Sequence, residues 1–214
     1  DIDPWYEYVE NYIGIAGTKE HLSQLPDSKY INGIPLNSIE NYLKNKIENN
    51  FEHRKLISSR MANSTGDKNG KGACMYRNRC SRGCPFGGYF SSVSSTLIDA
   101  KNTGNLTLRP NSVVTKIIYD EETKKAIGVH VIDRISKESF EFHSKIIFLN
   151  ASTIGSTAIL LNSKSKSFPT GLGNSSGQLG KNLMDHAING GTKGEYKGFK
   201  DKYYKDRTPG SIYI

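Results

Sequence analysis

Long hydrophobic runs are missing from this chain. No stretch approaches the roughly 20 apolar residues that carry a helix across a bilayer. There is no initiating Met, and no basic segment followed by an apolar one near the N-terminus, so no signal peptide is read. A chain that starts in this way at Asp1 is expected to be an internal piece of a longer protein. Zinc-finger spacing, internal repeats and aromatic–basic RNA-binding runs are also missing, which speaks against a nucleic-acid partner despite a net charge of +8. The excess is Lys-rich and densest at Lys193, Lys197, Lys200, Lys202, Lys205 and Arg207, a pattern that fits a solvated surface. Cysteine is scarce too. Three in 214 residues is an odd number, which a disulfide framework does not use.

Those three sit within eleven residues, as Cys74-Met-Tyr-Arg-Asn-Arg-Cys80-Ser-Arg-Gly-Cys84 followed by Pro85. Thiolates are the ligating form of cysteine, and cationic neighbours favour them; here Arg77, Arg79 and Arg82 lie between the thiols. The trailing C-x3-C-P is similar to the end of bacterial iron–sulfur ligand runs. A metal site is therefore expected at Cys74, Cys80 and Cys84. Zinc is the alternative, and would need His53 or another side chain as fourth ligand. Three unligated thiols beside a turn are the plainest alternative.

The rest of the chain reads as mixed α/β with α+β character. Helices are expected over 4–16, capped by Asp3 and showing Trp5, Tyr8, Val9, Tyr12 and Ile13 on one face, over about 37–49, and over 91–102. Strands are expected at Arg54–Ser59, Leu106–Arg109, Val113–Tyr119, Ala126–Asp133 and Ser139–His143, with hairpin connections at Asp120–Lys125 and Arg134–Glu138. Lys145-Ile-Ile-Phe-Leu149 lacks alternation and reads as a buried parallel strand. It leads into a small-residue turn and a helix starting near Ser152, the layout by which α/β folds approach a phosphate-bearing cofactor. The helix cap by Ser152 is the simpler role of that residue.

Two segments carry a specific resemblance. Gly171-Leu-Gly-Asn-Ser-Ser-Gly177 with Leu179-Gly-Lys-Asn-Leu-Met-Asp-His186 resembles the G-(L/I)-G-N-x-x-G…(V/L)-G-x-N-L-x-D-H signature of the glucose–methanol–choline (GMC) flavin oxidoreductases. Phe148 to Ser163 is similar to that family's strand-then-helix segment, and Val113–Ile117 with the strands after it to the β-meander of its FAD domain. The likeness spans about residues 72–190. It departs where Ser152 replaces a glycine and Thr157 a proline, and no G-x-G-x-x-G lies near the N-terminus.

The resemblance implies part of an FAD/NAD(P)-binding-type domain with a β-meander, plus a portion of the substrate-binding domain. Residues 1–70 would be a helical part of the substrate or cap region, 71–90 the cluster-binding cysteine loop, 91–190 the centre of the FAD domain, and 191–214 the start of the substrate domain. FAD would lie near Val114, Ser152, Thr153, Gly155, Asn182 and His186. Family members with C-x5-C-x3-C-P-x-G hold a [3Fe-4S] cluster, which makes Cys74, Cys80 and Cys84 its expected ligands. The implied activity is a dehydrogenase oxidising a sugar or alcohol, passing electrons through the cluster to a cytochrome or other acceptor subunit. Its base would lie beyond Ile214, so Asp185 and His186 are expected to shape the pocket rather than transfer protons. A non-catalytic metal-binding or electron-transfer module is the rival reading. The chain itself carries no localisation signal; the resemblance favours the periplasm.

Overall fold

The chain divides into two units, Asp1–Leu106 with Gly194–Ile214, and Thr107–Lys193. A computed structural model describes residues 2–66, 72–77, 79–186, 190–199 and 211–214. The basic cluster from Lys200 to Arg207 lies outside the described residues, as does the middle of the polar loop after Asn63.

In the second unit, β-branched alternation yields an antiparallel meander of β4 (Ser112–Asp120), β5 (Lys125–Asp133) and β6 (Ser139–His143), in that order. An aspartate side chain builds each turn. Asp120 accepts from the N–H groups of Glu122 and Thr123, and Asp133 from those of Ile135 and Ser136. Lys124 and Lys137 supply the left-handed residue, at φ 54° and 66°. α4 (Ser152–Asn162) packs on β4. Just past its end, buried Ser163 donates to the Ile159 carbonyl (2.6 Å) and accepts from the Ile117 N–H (2.8 Å). Ile117 and Val131 are buried beside this link.

The first unit opens with α1 (Asp3–Ile13), which carries a proline in its first turn and stops at Gly14, φ 78°. Short parallel strands β1 (Ala16–Gly17) and β2 (Ile31–Asn32) follow. α2 (Ser38–Asn50) starts with a capping box: the Asn37 side chain accepts from the Glu40 N–H, and the Glu40 carboxylate from the Asn37 N–H. β3 (Ile57–Ser58) pairs with β7 (Ile212–Tyr213), and α3 is Thr96–Asn102. Ala16, Ile34, Leu56 and Ile57 form the buried apolar centre of this unit.

Several expectations are corrected. α1 is capped from Ile2, with Asp3 already inside the helix, and Trp5, Tyr8 and Val9 of its apolar face are exposed. The strand expected at Arg54–Ser59 shrinks to β3, and Leu106–Arg109 forms no strand. α3 begins at Thr96 because the Ser91 and Ser94 hydroxyls bond nearby backbone groups, stabilising turns in place of helix. Lys145–Leu149 forms no strand and pairs with no described one, leaving Ile146 and Phe148 68% and 81% exposed. A buried parallel strand needs neighbours on both sides, and none are present among the described residues. Finally, α4 is capped from Ala151 without a side-chain bond, so Ser152 is its first residue and not its cap.

Candidate functional site

Three backbone segments stitched together hold the cysteine loop. The Cys74 N–H donates to the Ser64 carbonyl (2.7 Å), the Ser64 N–H to Gly88 (2.7 Å), and the Phe90 N–H to Ala62 (2.9 Å). Two glycines permit this closeness. A Cβ on Gly72 would stand 2.4 Å from the Phe86 carbonyl oxygen, and one on Gly88 3.0 Å from the Cys74 nitrogen. Cys80–Arg82 forms a single 3-10 turn ended by Gly83 at φ 91°, and Gly87 turns the chain again at φ 68°.

These turns bring Cys74, Cys80 and Cys84 to the wall of one cavity of about 210 Å³, together with Asn63 and Arg77, Arg79 and Arg82. All three cysteines are half-buried and none is in a disulfide. The Tyr76 N–H donates to the Cys74 sulfur at 3.5 Å. Burial pushes the Cys84 thiol up, but backbone hydrogen bonding from Phe86, Tyr89, Gly88 and Gly87 outweighs it and brings the thiol below its ordinary value. Arg77 lies over the Phe86 ring, 5.3 Å from its centroid.

Among the described residues, no group of three or more His, Cys, Asp or Glu side chains converges closely enough for a single metal ion. That geometry disfavours a mononuclear zinc site, which draws its ligands onto one centre; His53 is exposed and does not line the cavity. A multi-iron cluster takes its thiolates on separate irons and leaves them further apart. Three thiols on one cavity wall are the ligand type that thiolate-held iron centres use.

The second unit holds a cleft of about 660 Å³, in which Thr153, Ile154 and Thr157 of α4 face Gly180–Met184. The glycine-rich segment before it is tied down by its own turns. Gly171, at φ 116°, leaves no room for a side chain, since a Cβ would lie 2.9 Å from the Leu160 oxygen and Leu161 Cα. The Leu172 N–H donates to the Leu160 carbonyl (2.9 Å), and the Asn174 side chain accepts from the Leu179 N–H (3.0 Å). Thr153 and Asn182 thus meet in one cleft. Val114 is half-buried on β4 opposite Val131, while Ser152, Gly155 and exposed His186 lie outside the lining. Asn182 adopts φ 64° and donates to Gln178 Oε1 at 3.0 Å. α4 starts without a side-chain cap, and the N-terminus of a helix is suited to an anionic group such as a cofactor phosphate. Ser152 takes φ 61°, a conformation natural to the glycine it replaces.

His130 is satisfied within the sheet, 2.7 Å from the Thr115 hydroxyl at a bulge in β4. Sequence reading did not single out Asn63, since a lone asparagine in a polar loop carries no signal.

The chain belongs to the GMC oxidoreductase family, whose model matches residues 42–188 and so takes in the cysteine loop, the β-meander, α4 and the glycine-rich segment after it. Among curated proteins it is 25% identical over 191 residues to the fructose dehydrogenase large subunit of Gluconobacter japonicus, covering 87% of this chain and 34% of that one. It is 42% identical over 64 residues to the 2-methyl-1,2-propanediol dehydrogenase of Mycolicibacterium austroafricanum, covering 30% of this chain and 12% of that one. The chain thus spans at most about a third of the length of these relatives.

Proposed function

We propose that this chain is the central part of an FAD-dependent dehydrogenase that oxidises a sugar or alcohol hydroxyl and sends electrons out through a [3Fe-4S] cluster at Cys74, Cys80 and Cys84. One observation carries the reading: in a chain of this family, three cysteines wall one cavity, and the Tyr76 N–H donates to the Cys74 sulfur. Both relatives are dehydrogenases by name, and one is a large subunit, which supports an acceptor partner such as a cytochrome subunit. When bound, FAD supplies a two-electron acceptor for hydride and the cluster a one-electron relay.

The chain's own contribution is positional. The open N-terminus of α4 and the cleft at Thr153 and Asn182 would hold the cofactor, with Val114, Ser152, Gly155 and His186 around it. The arginines beside the cysteines would stabilise the cluster's more negative, reduced form. The proton-accepting base is assigned beyond Ile214. Residues 1–70 and 191–214 are assigned to the substrate-binding region, 71–90 to the cluster loop and 91–190 to the FAD domain.

The test is anaerobic titration of the holoenzyme with sugars and short diols. Bleaching of the flavin absorbance by one of them, with electrons passing to a cytochrome faster than to oxygen, is expected. Rapid reduction of oxygen to peroxide, with no cytochrome reduction, would instead make it an oxidase.

A further inference from the structure

Asn63 is 1% exposed and sits on the wall of the cysteine cavity. Its backbone is fixed from both sides: Ala62 and Ser64 bond Phe90 and Gly88, and Ser64 also receives the Cys74 N–H. The side-chain Nδ2 lies 4.0 Å from the Cys74 sulfur and 3.9 Å from the Cys80 sulfur, separations that sulfur's large radius permits. The Oδ1 of the same amide is buried without a hydrogen-bond partner. A buried amide with one end unsatisfied is costly unless its other end, or a bound group, compensates. The two N–H groups of one amide suffice for two sulfurs. No such contact joins Asn63 to the Cys84 sulfur among the described residues, so the amide links two of the three thiols, and Cys74 receives the Tyr76 N–H as well.

From this we infer that Asn63 is a positioning residue, which holds the Cys74 and Cys80 sulfurs with a shared N–H donor and thereby raises the reduction potential of the cluster they ligate. The inference rests on the cluster reading above. Donors to cluster sulfurs stabilise the added electron, so losing them favours the oxidised form. Asn63→Asp keeps the shape and replaces the donor by an acceptor; Asn63→Leu keeps the bulk with no polar atom.

Two measurements on the full chain test this. In the iron-loaded protein, potentiometric titration followed by electron paramagnetic resonance is expected to show a lower midpoint in both variants, further in Asn63→Asp. A tenfold change in the oxidation equilibrium reads as about 59 mV for one electron. With asparagine-selective 15N labelling, the side-chain amide signal lost in Asn63→Leu is expected to move in Cys74→Ser and Cys80→Ser and to stay in Cys84→Ser. The second readout needs no iron. An iron-free wild type with the amide pattern intact would defeat the cluster reading, and with it the potential claim, while the shared donor stands. An unmoved midpoint in iron-loaded Asn63→Asp, or an amide indifferent to Cys74 and Cys80, would overturn the inference.

Discussion

Ser152→Gly tests the α4 turn directly. Ser152 begins the helix at φ 61°, where an L-residue's Cβ crowds the following carbonyl at a cost of about 1–2 kcal/mol. Glycine removes that crowding but gives up more chain entropy on folding, about 0.5–1 kcal/mol. The net gain is about 0.5–1 kcal/mol, with no lost cap to subtract because Ser152 makes none. Two units make a single global unfolding curve ambiguous, so the assay is hydrogen exchange at the α4 amides, which reads local opening. Opening in Ser152→Gly should slow by about two- to fivefold. Ser152→Ala, which keeps the Cβ, should change it little. Faster exchange in the glycine variant, or equal slowing in both, would refute the backbone explanation.

The remaining predictions concern packing, charge and the cysteine loop. Leu56→Ala empties a fully buried site and should destabilise the first unit by about 2–5 kcal/mol in denaturant titration. Ser163→Ala strands the Ile117 N–H and should cost about 1–3 kcal/mol, read as faster exchange in β4. Gly88→Ala drives a Cβ to 3.0 Å from the Cys74 nitrogen and should lower iron content while leaving β4–β6 exchange unchanged. Burial raises Glu20, but hydrogen bonding to Lys55 (2.9 Å) and to the Thr18 hydroxyl (2.6 Å) outweighs it and holds the carboxyl below 4.5. Its unfolded form binds the proton first, so its contribution is full above pH 4.5 and fades as pH falls through the lower folded value. Glu20→Gln should flatten the stability profile across that window.

Local chemistry made much of the fold legible. Asn37 and Glu40 cap α2, and β6 falls at Ser139–His143 as read from alternation, because both depend on neighbours a few residues away. Lys145–Leu149 shows where this stops. Its apolar run specifies burial, but burial needs flanking strands that no local pattern in these residues can provide. Trp5, Tyr8 and Val9 show the same limit: periodicity identifies an apolar face without supplying what covers it. Spacing singled out Cys74, Cys80 and Cys84, which share one cavity wall, and the signature segment singled out Asn182, which lines the α4 cleft. Asn63 was not legible, because it reaches the sulfurs through long-range backbone pairing between 62–64 and 88–90. The role of Ser152 as an uncapping, left-handed residue also depended on φ, which its identity alone does not set.

The most direct test of the central claim is iron and acid-labile sulfide analysis of the anaerobically purified holoprotein, combined with its electron paramagnetic resonance spectrum. About three irons per chain, the signal of an oxidised three-iron cluster, and loss of both in Cys74→Ser, Cys80→Ser and Cys84→Ser are expected. A colourless protein holding no iron, or one zinc ion in its place, would contradict it.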